Sequence, residues 1–409
     1  MRSAGNRIFV TLASVVIAAN ARGAVELGID VLEANGYALL KNKRVGLITN
    51  QAGIDSRGVR TRVLLRKNCN LVALYTPEHG LDGKEKAGRY IRSRRDPVTG
   101  LTAHSLYGPT RKPTPIMLHG IDTLVFDLQD IGCRSYTYVS TMAKCMEAAA
   151  ENHIEFVVLD RPNPLGGLRV EGPLVDPQWI SFVGQIPVPY VHGMTCGELA
   201  HMIKAKGWAG GRCDLHVVPM RGWARNFTWN DTGLRWIPTS PNIPRWNSPL
   251  YYVATGLIGE LHGPETGVGG ARPFEILSAR GISSGSFTDY MNSQNLAGVS
   301  FSEYRSGPVG GIYLRIDPAA PANLTAINVY GLAEMNRQLR TNLIAQSKRG
   351  KREMFFKCYG SSSIASQFAR GMGPSAIALR VCHRLQQGLA SWKTHLARFT
   401  GAGNQYLLY

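Results

Sequence analysis

The amino-acid sequence predicts an α/β protein in which a parallel sheet carries helices on both faces, followed by a smaller α+β domain. Short, wholly apolar runs recur along the first half of the chain, as expected for strands buried on both sides. Segments with helical periodicity separate these runs, which is the pattern of parallel strands joined by crossover helices. After about residue 225 this alternation gives way to stretches rich in proline and glycine.

The elements of the first domain are predicted from local patterns. Five apolar runs are predicted strands of the parallel sheet: 44–50, 71–76, 123–126, 156–159 and 216–220. Three segments with apolar residues at helical spacing are predicted helices: 59–67, 141–152 and 199–206. A capping box from Thr195 to Glu198 precedes the last helix, so each side chain is expected to bond the other residue's backbone N–H.

A second, smaller domain is expected over residues 251–409, after a first domain over residues 22–250. The chain of 409 residues is long enough for two hydrophobic cores. In this second part the sequence predicts a strand at 311–316 and helices near 324–346 and 374–399.

The first residues have the pattern of a secretory signal peptide. Arg2 and Arg7 precede an apolar run at 8–19, and Ala19-Asn20-Ala21 matches a small-residue cleavage site. We therefore expect removal of residues 1–21 and an exported protein, periplasmic or extracellular. The apolar run is too short to cross a bilayer comfortably, so stable membrane insertion is not expected.

Charge and cysteine content narrow the class of partner. The formal net charge of +18 favours binding to polyanions. The chain lacks helix-turn-helix, zinc-finger and aromatic RNA-binding patterns, so nucleic acid is not predicted as a partner, and the anionic cell envelope is more consistent with export. Seven cysteines include no C-x-x-C pair, and we expect mostly buried, inert thiols. The oligomeric state is left open.

Polar side chains follow four consecutive predicted strands. Ligands of open parallel sheets bind beyond the carboxyl ends of the strands, so these side chains are expected to share one pocket. A strand-end Asp or Asn can equally cap a helix or close a turn, but four such strand ends together favour a site. The candidates are Asn50, Glu78, His79, Asp127, Gln129, Arg134, Tyr136, Tyr138, Asp160, Arg161 and Asn163.

Several cofactor-dependent chemistries lack their motifs. The first strand–helix loop, residues 49–53, has no G-x-G-x-x-G pattern, which argues against a dinucleotide. P-loop, G-x-S-x-G and H-E-x-x-H patterns are also missing from the sequence. His79, His192 and Asp127 could gather a metal, but their spacing carries no metal signature. We therefore expect neither a metal nor an organic cofactor.

The remaining carboxylates, tyrosines and arginines suit cleavage of a glycosidic bond. One carboxylic acid gives its proton to the leaving oxygen, while a second group activates water or attacks the sugar carbon. Glu78 is the predicted general acid because it lies in a rigid turn after Pro77, where partial burial favours a retained proton. Asp127, Asp160 and Tyr138 are the candidates for the second group.

The sequence resembles the exo-β-N-acetylmuramidases of glycoside hydrolase family 171. The resemblance implies a Rossmann-like first domain and release of N-acetylmuramic acid from the non-reducing end of peptidoglycan fragments. It places Glu78 on the family's catalytic glutamate, and it adds His192, Asn242 and Glu260 to the motif positions above. The motifs run in order: VGLITNQAGID (45–55), TPEHG (76–80), DPVTGL…SLYG (96–108), VFDLQDIGCRSYTY (125–138), LDRPNPLGG (159–167), VEGPLV (170–175), IPVPYVHGMTCGELA (186–200), SPNIP (240–244) and YLLY (406–409).

This substrate would explain why arginines are among the candidate site residues. N-acetylmuramic acid carries a lactyl carboxylate that N-acetylglucosamine lacks, and a guanidinium can bind a carboxylate with two hydrogen bonds. Arg134 or Arg161 is therefore the predicted selector of the sugar. The chain departs from the family pattern in its strongly basic segment at 84–95 and in the loop at 259–274, which matches only loosely.

Two other functions are compatible with the same residues. A non-catalytic wall-binding protein would keep the cleft and bind peptidoglycan fragments without turnover, although the intact TPEHG segment argues against it. A metal-dependent amidase acting on peptidoglycan would lose activity with a chelator and recover it with zinc.

Overall fold

The computed structural model describes residues 24–374, 377 and 406–409. The segment predicted as a signal peptide and most of the helix predicted at 374–399 lie outside the described residues. The first domain is built on a seven-stranded sheet of order β3-β4-β2-β1-β5-β6-β7. Its strands are β1 (Arg44–Thr49), β2 (Asn70–Thr76), β3 (Arg94–Arg95), β4 (Thr102–Ser105), β5 (Thr123–Asp127), β6 (Glu155–Leu159) and β7 (Leu215–Val218).

The predicted parallel sheet is confirmed. Strands β1, β2, β4, β5, β6 and β7 pair in parallel, and β3 pairs antiparallel to β4 at the edge. All five predicted strands are present with ends shifted by at most two residues. The short edge strands β3 and β4 were not predicted, because two to four residues carry too little alternation to mark a strand.

Helices cover both faces of the sheet, and alternate strand residues point into two separate cores. Leu47 and Val125 belong to one core, whereas their neighbours Ile48 and Phe126 belong to the other. The capping box is confirmed: Glu198 N–H donates to Thr195 Oγ1 at 3.2 Å and Thr195 N–H to Glu198 Oε2 at 3.0 Å. The helices of this domain are α1 (Gly28–Ala34), α2 (Thr61–Asn68), α3 (Pro115–Leu118), α4 (Tyr138–Glu151) and α5 (Cys196–Ala205).

The smaller second domain has a three-stranded antiparallel sheet of order β8-β10-β9. The predicted strand at 311–316 is the end of β10, and the helix predicted at 324–346 is two helices, because Arg340 adopts a left-handed backbone with φ 49°. The elements are α6 (Ser248–Gly259), β8 (Ile276–Arg280), α7 (Ser284–Asn292), β9 (Val299–Ser306), β10 (Val309–Ile316), α8 (Thr325–Leu339), α9 (Leu343–Gln346), α10 (Arg349–Tyr359) and α11 (Ser363–Ala369).

The two domains pack closely together. One hydrophobic core runs from the first sheet through α4 and α6 to the second sheet and α10. The C-terminal residues return to the first domain, where the Tyr409 hydroxyl donates to Asp160 Oδ2 at 2.8 Å and its ring packs edge-on against Trp223. This arrangement fixes the relative position of the surfaces that meet between the domains.

Six of the seven cysteines lie in the described part of the chain, and all six are free thiols. Five are buried, as expected, and Cys69 is partly exposed; Cys382 lies outside the described residues. No helix within the described ranges has both the length and the apolar character needed to cross a membrane.

Candidate active site

A cavity of about 740 Å³ opens between the two domains, and we call it the interdomain cavity. The turn after β2, the residues before α4 and the loop around Asn242 form one side. The end of α6, the following loop and α10 form the other side. Five predicted site residues line it: Glu78, His79, Tyr136, Asn242 and Glu260.

A tight turn presents Glu78 at the carboxyl end of β2. Gly80 N–H donates to Pro77 C=O at 3.1 Å and closes the turn. His79 and Gly80 both have a left-handed backbone, with φ 69° and 74°. A non-glycine residue with this conformation is uncommon and is often held at a functional site by its surroundings. Here His79 Nδ1 lies 2.7 Å from Glu85 C=O, which fixes the imidazole.

The carboxyl group of Glu78 is held by hydrogen bonds to both of its oxygens. Gly88 N–H donates to Oε1 at 2.7 Å, and Thr137 Oγ1 donates to Oε2 at 2.7 Å. Tyr107 lines the same cavity, and the Glu78 charge acts on its phenol. Burial and this charge raise the pKa of Tyr107 above its ordinary value, so the phenol stays protonated. Glu78 is therefore oriented in the cavity wall before any substrate enters.

Glu260 brings a second carboxyl group to the interdomain cavity from the second domain. It follows directly after α6 and is partly buried. Burial raises the pKa of Glu260, the Lys351 ammonium lowers it, and the Glu78 charge raises it. Both domains thus contribute a carboxyl group to one cavity, and glycosidases commonly use a pair of carboxyl groups.

Aromatic rings form an apolar wall beside these carboxyls. Tyr136 packs edge-on against Tyr252 with ring centres 6.3 Å apart, and Tyr252 packs edge-on against Phe274 at 5.0 Å. The Tyr136 hydroxyl donates to Thr239 Oγ1 at 2.9 Å, so its ring is fixed. Rigid rings of this kind offer apolar area to the faces of a sugar.

Asp127 and Arg161 do not line the interdomain cavity, contrary to the expected shared pocket. They form a buried bidentate ion pair, with Arg161 Nε 2.5 Å from Asp127 Oδ1 and Nη2 3.0 Å from Oδ2. Arg161 also donates to Ile54 C=O at 2.6 Å. Since each group already satisfies the other, neither is placed to bind a sugar or its lactyl acid.

Asp160 is also turned into the protein. It accepts hydrogen bonds from Thr195 Oγ1 at 2.7 Å, from Gly197 N–H at 2.8 Å and from the Tyr409 hydroxyl. Burial raises its pKa, while these donors lower it. Asp160 therefore joins β6, α5 and the C-terminal residues, and the structure gives it a structural position instead of the expected catalytic one.

Arg134 is buried and holds the two domains together. Its guanidinium donates to Pro173 C=O at 2.7 Å and Val188 C=O at 2.6 Å in the first domain. It also donates to Cys358 C=O at 3.2 Å and Tyr359 C=O at 2.8 Å at the end of α10. Burial lowers the pKa of Arg134 to about 10. The predicted role as a carboxylate ligand is not supported, because backbone carbonyls occupy both Nη groups and the whole guanidinium is buried.

The other predicted residues are likewise engaged inside the first domain. Tyr138 donates to Thr239 C=O at 2.6 Å and accepts from Asn50 Nδ2 at 2.9 Å. Gln129 donates to Pro162 C=O, and Asn163 to Met194 C=O. Burial and the Arg134 charge lower the pKa of His192 to about 3, so this ring is neutral.

The structure does not bring His79, His192 and Asp127 together as a metal site. Within the described residues, one group of three side chains has suitable ligand atoms close together: Glu155, Asp214 and His216. It lies at the amino ends of β6 and β7, where Lys43 already pairs with Glu155 at 2.7 Å. We interpret it as a surface ion-pair cluster at the edge opposite the strand ends that approach the interdomain cavity.

The sequence analysis missed several cavity residues, among them Tyr107, Thr137 and Lys351. Tyr107 lies in the SLYG motif, so a signal for it was present in the sequence. Thr137 lies between two tyrosines that were chosen. Lys351 has no local signal, because its position in the cavity wall depends on how the second domain folds back.

The fold and the site describe an α/β protein with glutamates from both domains in a cavity walled by aromatic rings, an arrangement typical of the glycoside hydrolase class. The family models "Exo-beta-N-acetylmuramidase NamZ, N-terminal" and "Exo-beta-N-acetylmuramidase NamZ, C-terminal" match residues 45–247 and 250–409. The chain therefore belongs to the exo-β-N-acetylmuramidase NamZ family.

Similar proteins agree with this placement. The chain is 46% identical to the peptidoglycan β-N-acetylmuramidase NamZ of Bacillus subtilis (strain 168) over 279 residues, covering 68% of this chain and 67% of that protein. A DUF1343 family crystal structure from Bacteroides fragilis NCTC 9343 has a TM-score of 0.82 and 40% identity, covering 94% of this chain and 99% of that one. A second DUF1343 structure from this strain has a TM-score of 0.67 and 27% identity, covering 95% and 99%.

Proposed function

We propose that this protein is an exo-β-N-acetylmuramidase that releases N-acetylmuramic acid from the non-reducing end of peptidoglycan fragments. The observation that carries the proposal is the Glu78 carboxyl, fixed by Gly88 and Thr137 in a cavity that also contains Glu260. Family membership and the activity in the name of the Bacillus subtilis relative support the same reaction.

In the proposed reaction Glu78 is the general acid. It donates its proton to the glycosidic oxygen as the bond to the sugar carbon breaks, and positive charge develops on the ring. Glu260 is the second carboxyl group, because Asp127 and Asp160 are both engaged inside the first domain. It either activates water or attacks the sugar carbon directly.

One observation favours the converse assignment of the two roles. Burial and the Glu78 charge raise the pKa of Glu260, which is the property of a group that must keep its proton. The roles of the two carboxyl groups are therefore assigned by kinetics. The reaction as a whole is the same in both assignments.

The activity is tested with the wild-type protein and a β-linked N-acetylmuramyl-N-acetylglucosamine disaccharide. We expect free N-acetylmuramic acid as product, detected by mass spectrometry, and no loss of rate in the presence of a chelator. Binding of the disaccharide without any product would indicate a wall-binding protein. A rate abolished by the chelator and restored by zinc would indicate a metal-dependent hydrolase.

The roles of the two glutamates are separated by leaving-group dependence. Loss of the general acid slows a substrate with a poor sugar leaving group far more than one with 4-nitrophenolate, which needs no proton. We expect this pattern in Glu78→Gln, and a comparable loss with both substrates in Glu260→Gln. Glu303→Gln, on the exposed face of β9, is the matched control. The opposite pattern would exchange the two roles.

We also propose that the protein is exported. The basic start, the apolar run at 8–19 and the Ala19-Asn20-Ala21 site support removal of residues 1–21. The experiment is to express the full chain in a bacterium and determine the N-terminus of the protein released outside the cytoplasm. We expect it to begin at residue 22; retention of the full-length chain in the cytoplasm would contradict export.

A further inference from the structure

The lactyl carboxylate of the proposed substrate has no partner among the residues expected to bind it. Arg161 is paired with Asp127, and Arg134 donates to four backbone carbonyls. Both guanidinium groups are buried away from the interdomain cavity. If the cavity binds an acidic sugar, its charge must be balanced by another side chain.

The charged side chains of the interdomain cavity are mostly acidic. Glu78, Glu260 and Glu265 line it, and an anionic sugar would be repelled by them in the absence of a cation. Among the described lining residues, Lys351 is the only lysine or arginine. Lys351 and Glu260 line the same cavity, and the charge of the ammonium lowers the pKa of Glu260.

We propose that Lys351 binds the lactyl carboxylate of N-acetylmuramic acid and thereby selects this sugar over N-acetylglucosamine. This inference rests on the proposed function. An ammonium on a flexible stem can reach an acid held above the sugar ring, and a charge-assisted hydrogen bond of this kind is roughly twice as strong as a neutral one. The same cation offsets repulsion between the lactyl acid and Glu260.

The position of Lys351 follows from the packing of α10. This helix carries Lys351 in its first turn and ends at Tyr359, where Arg134 binds two of its carbonyl groups from within the first domain. Met354 and Cys358 on the same helix also line the cavity. Arg134 therefore contributes to recognition of the acid as a positioning residue, through the helix that it holds.

The test compares two chromogenic β-glycosides with the same leaving group, N-acetylmuramic acid and its lactyl carboxamide. Each kcat/KM is taken on the plateau of its own pH profile. We expect Lys351→Met to reduce kcat/KM for the acid roughly 10- to 100-fold, the range of one hydrogen bond to a charged group, while the carboxamide changes by less than about twofold. Lys351→Arg should retain most of the preference for the acid.

The matched control is Lys348→Met, which removes an exposed lysine that directly precedes the same helix and does not line the cavity. Equal losses for acid and carboxamide in Lys351→Met would overturn the inference, since the lysine would then act only on the catalytic carboxyls. If the wild-type protein hydrolyses neither glycoside, the proposed enzymatic activity is wrong, but this result does not test binding of the acid by Lys351. Calorimetry then decides: Lys351→Met must weaken binding of free N-acetylmuramic acid, and unchanged binding would contradict the inference.

Discussion

Thr137 donates a 2.7 Å hydrogen bond to Oε2 of Glu78, and this bond joins the residue preceding α4 to the turn that ends β2. Gly88 N–H holds the other oxygen at the same distance. The two donors come from separate parts of the first domain, so the orientation of the carboxyl is a product of tertiary structure. A carboxyl oriented in advance loses less freedom when it transfers a proton.

Replacing Thr137 with valine should therefore reduce activity without unfolding the protein. Valine keeps the shape of the side chain and removes only the donor, so we expect kcat to fall by about tenfold, equivalent to roughly 1.4 kcal/mol. The measurement is steady-state kinetics on the disaccharide. Thr288→Val is the control, because its hydroxyl has no hydrogen-bond partner among the described residues. Unchanged kcat in Thr137→Val would show that this bond is dispensable.

The ion pair between Asp127 and Arg161 should act on stability. Asp127→Asn leaves a guanidinium buried without its counter-charge, and we expect the free energy of unfolding to fall by about 3–5 kcal/mol. The double variant Asp127→Leu with Arg161→Met removes both charges and should be clearly more stable than the single one. Guanidinium denaturation measures both. A stable but inactive Asp127→Asn protein would return Asp127 to the catalytic candidates.

Arg134 should affect both stability and substrate binding. Arg134→Met leaves four buried carbonyl oxygens without their donor, so we expect a loss of about 3 kcal/mol or more in the free energy of unfolding. Loosening of α10 should also raise KM for the acid substrate more than for its carboxamide. Arg315→Met, on an exposed position of β10, is the control. A normal melting temperature with an unchanged KM would show that Arg134 does not hold α10 in place.

The pH profile should report the charge of Lys351. Its ammonium lowers the pKa of Glu260, so Lys351→Met should raise that pKa further. The limb of the kcat/KM profile that belongs to Glu260 then moves to higher pH. It is the acidic limb if Glu260 must be ionised, and the alkaline limb if it must be protonated. The uncharged carboxamide substrate shows this effect without any contribution from the lactyl acid. A pH profile of Lys351→Met identical to that of Lys348→Met would contradict the prediction.

The parallel sheet could be predicted because its signal is local. Strands such as Thr123–Asp127 are buried on both faces, so four or five apolar residues mark them without any knowledge of their partners. The strands of the second domain were harder to predict. Strand β8 is short and follows a long Gly- and Pro-rich loop, and β9 is largely exposed, so it carries no apolar run. The helix break at Arg340 depends on one left-handed residue, which the periodicity of the segment does not show.

The site was predicted in part, for a physical reason. Polar residues after a strand lie near the correct edge of the sheet, but the sequence does not show whether each faces a cavity or an internal partner. Glu78 faces the cavity, whereas Asp127 meets Arg161, which lies 34 residues further along the chain. The partners of Arg134 on α10 are backbone carbonyls more than 220 residues away, and no side-chain pattern marks them.

The measurement that tests the central claim most directly is the release of free N-acetylmuramic acid from the disaccharide by the wild-type protein and by Glu78→Gln. Circular dichroism first establishes that the variant is folded. We predict steady release by the wild type and a loss of about 100- to 10,000-fold in kcat/KM for Glu78→Gln, the range of one general acid. A folded Glu78→Gln protein within threefold of wild-type activity would contradict the account.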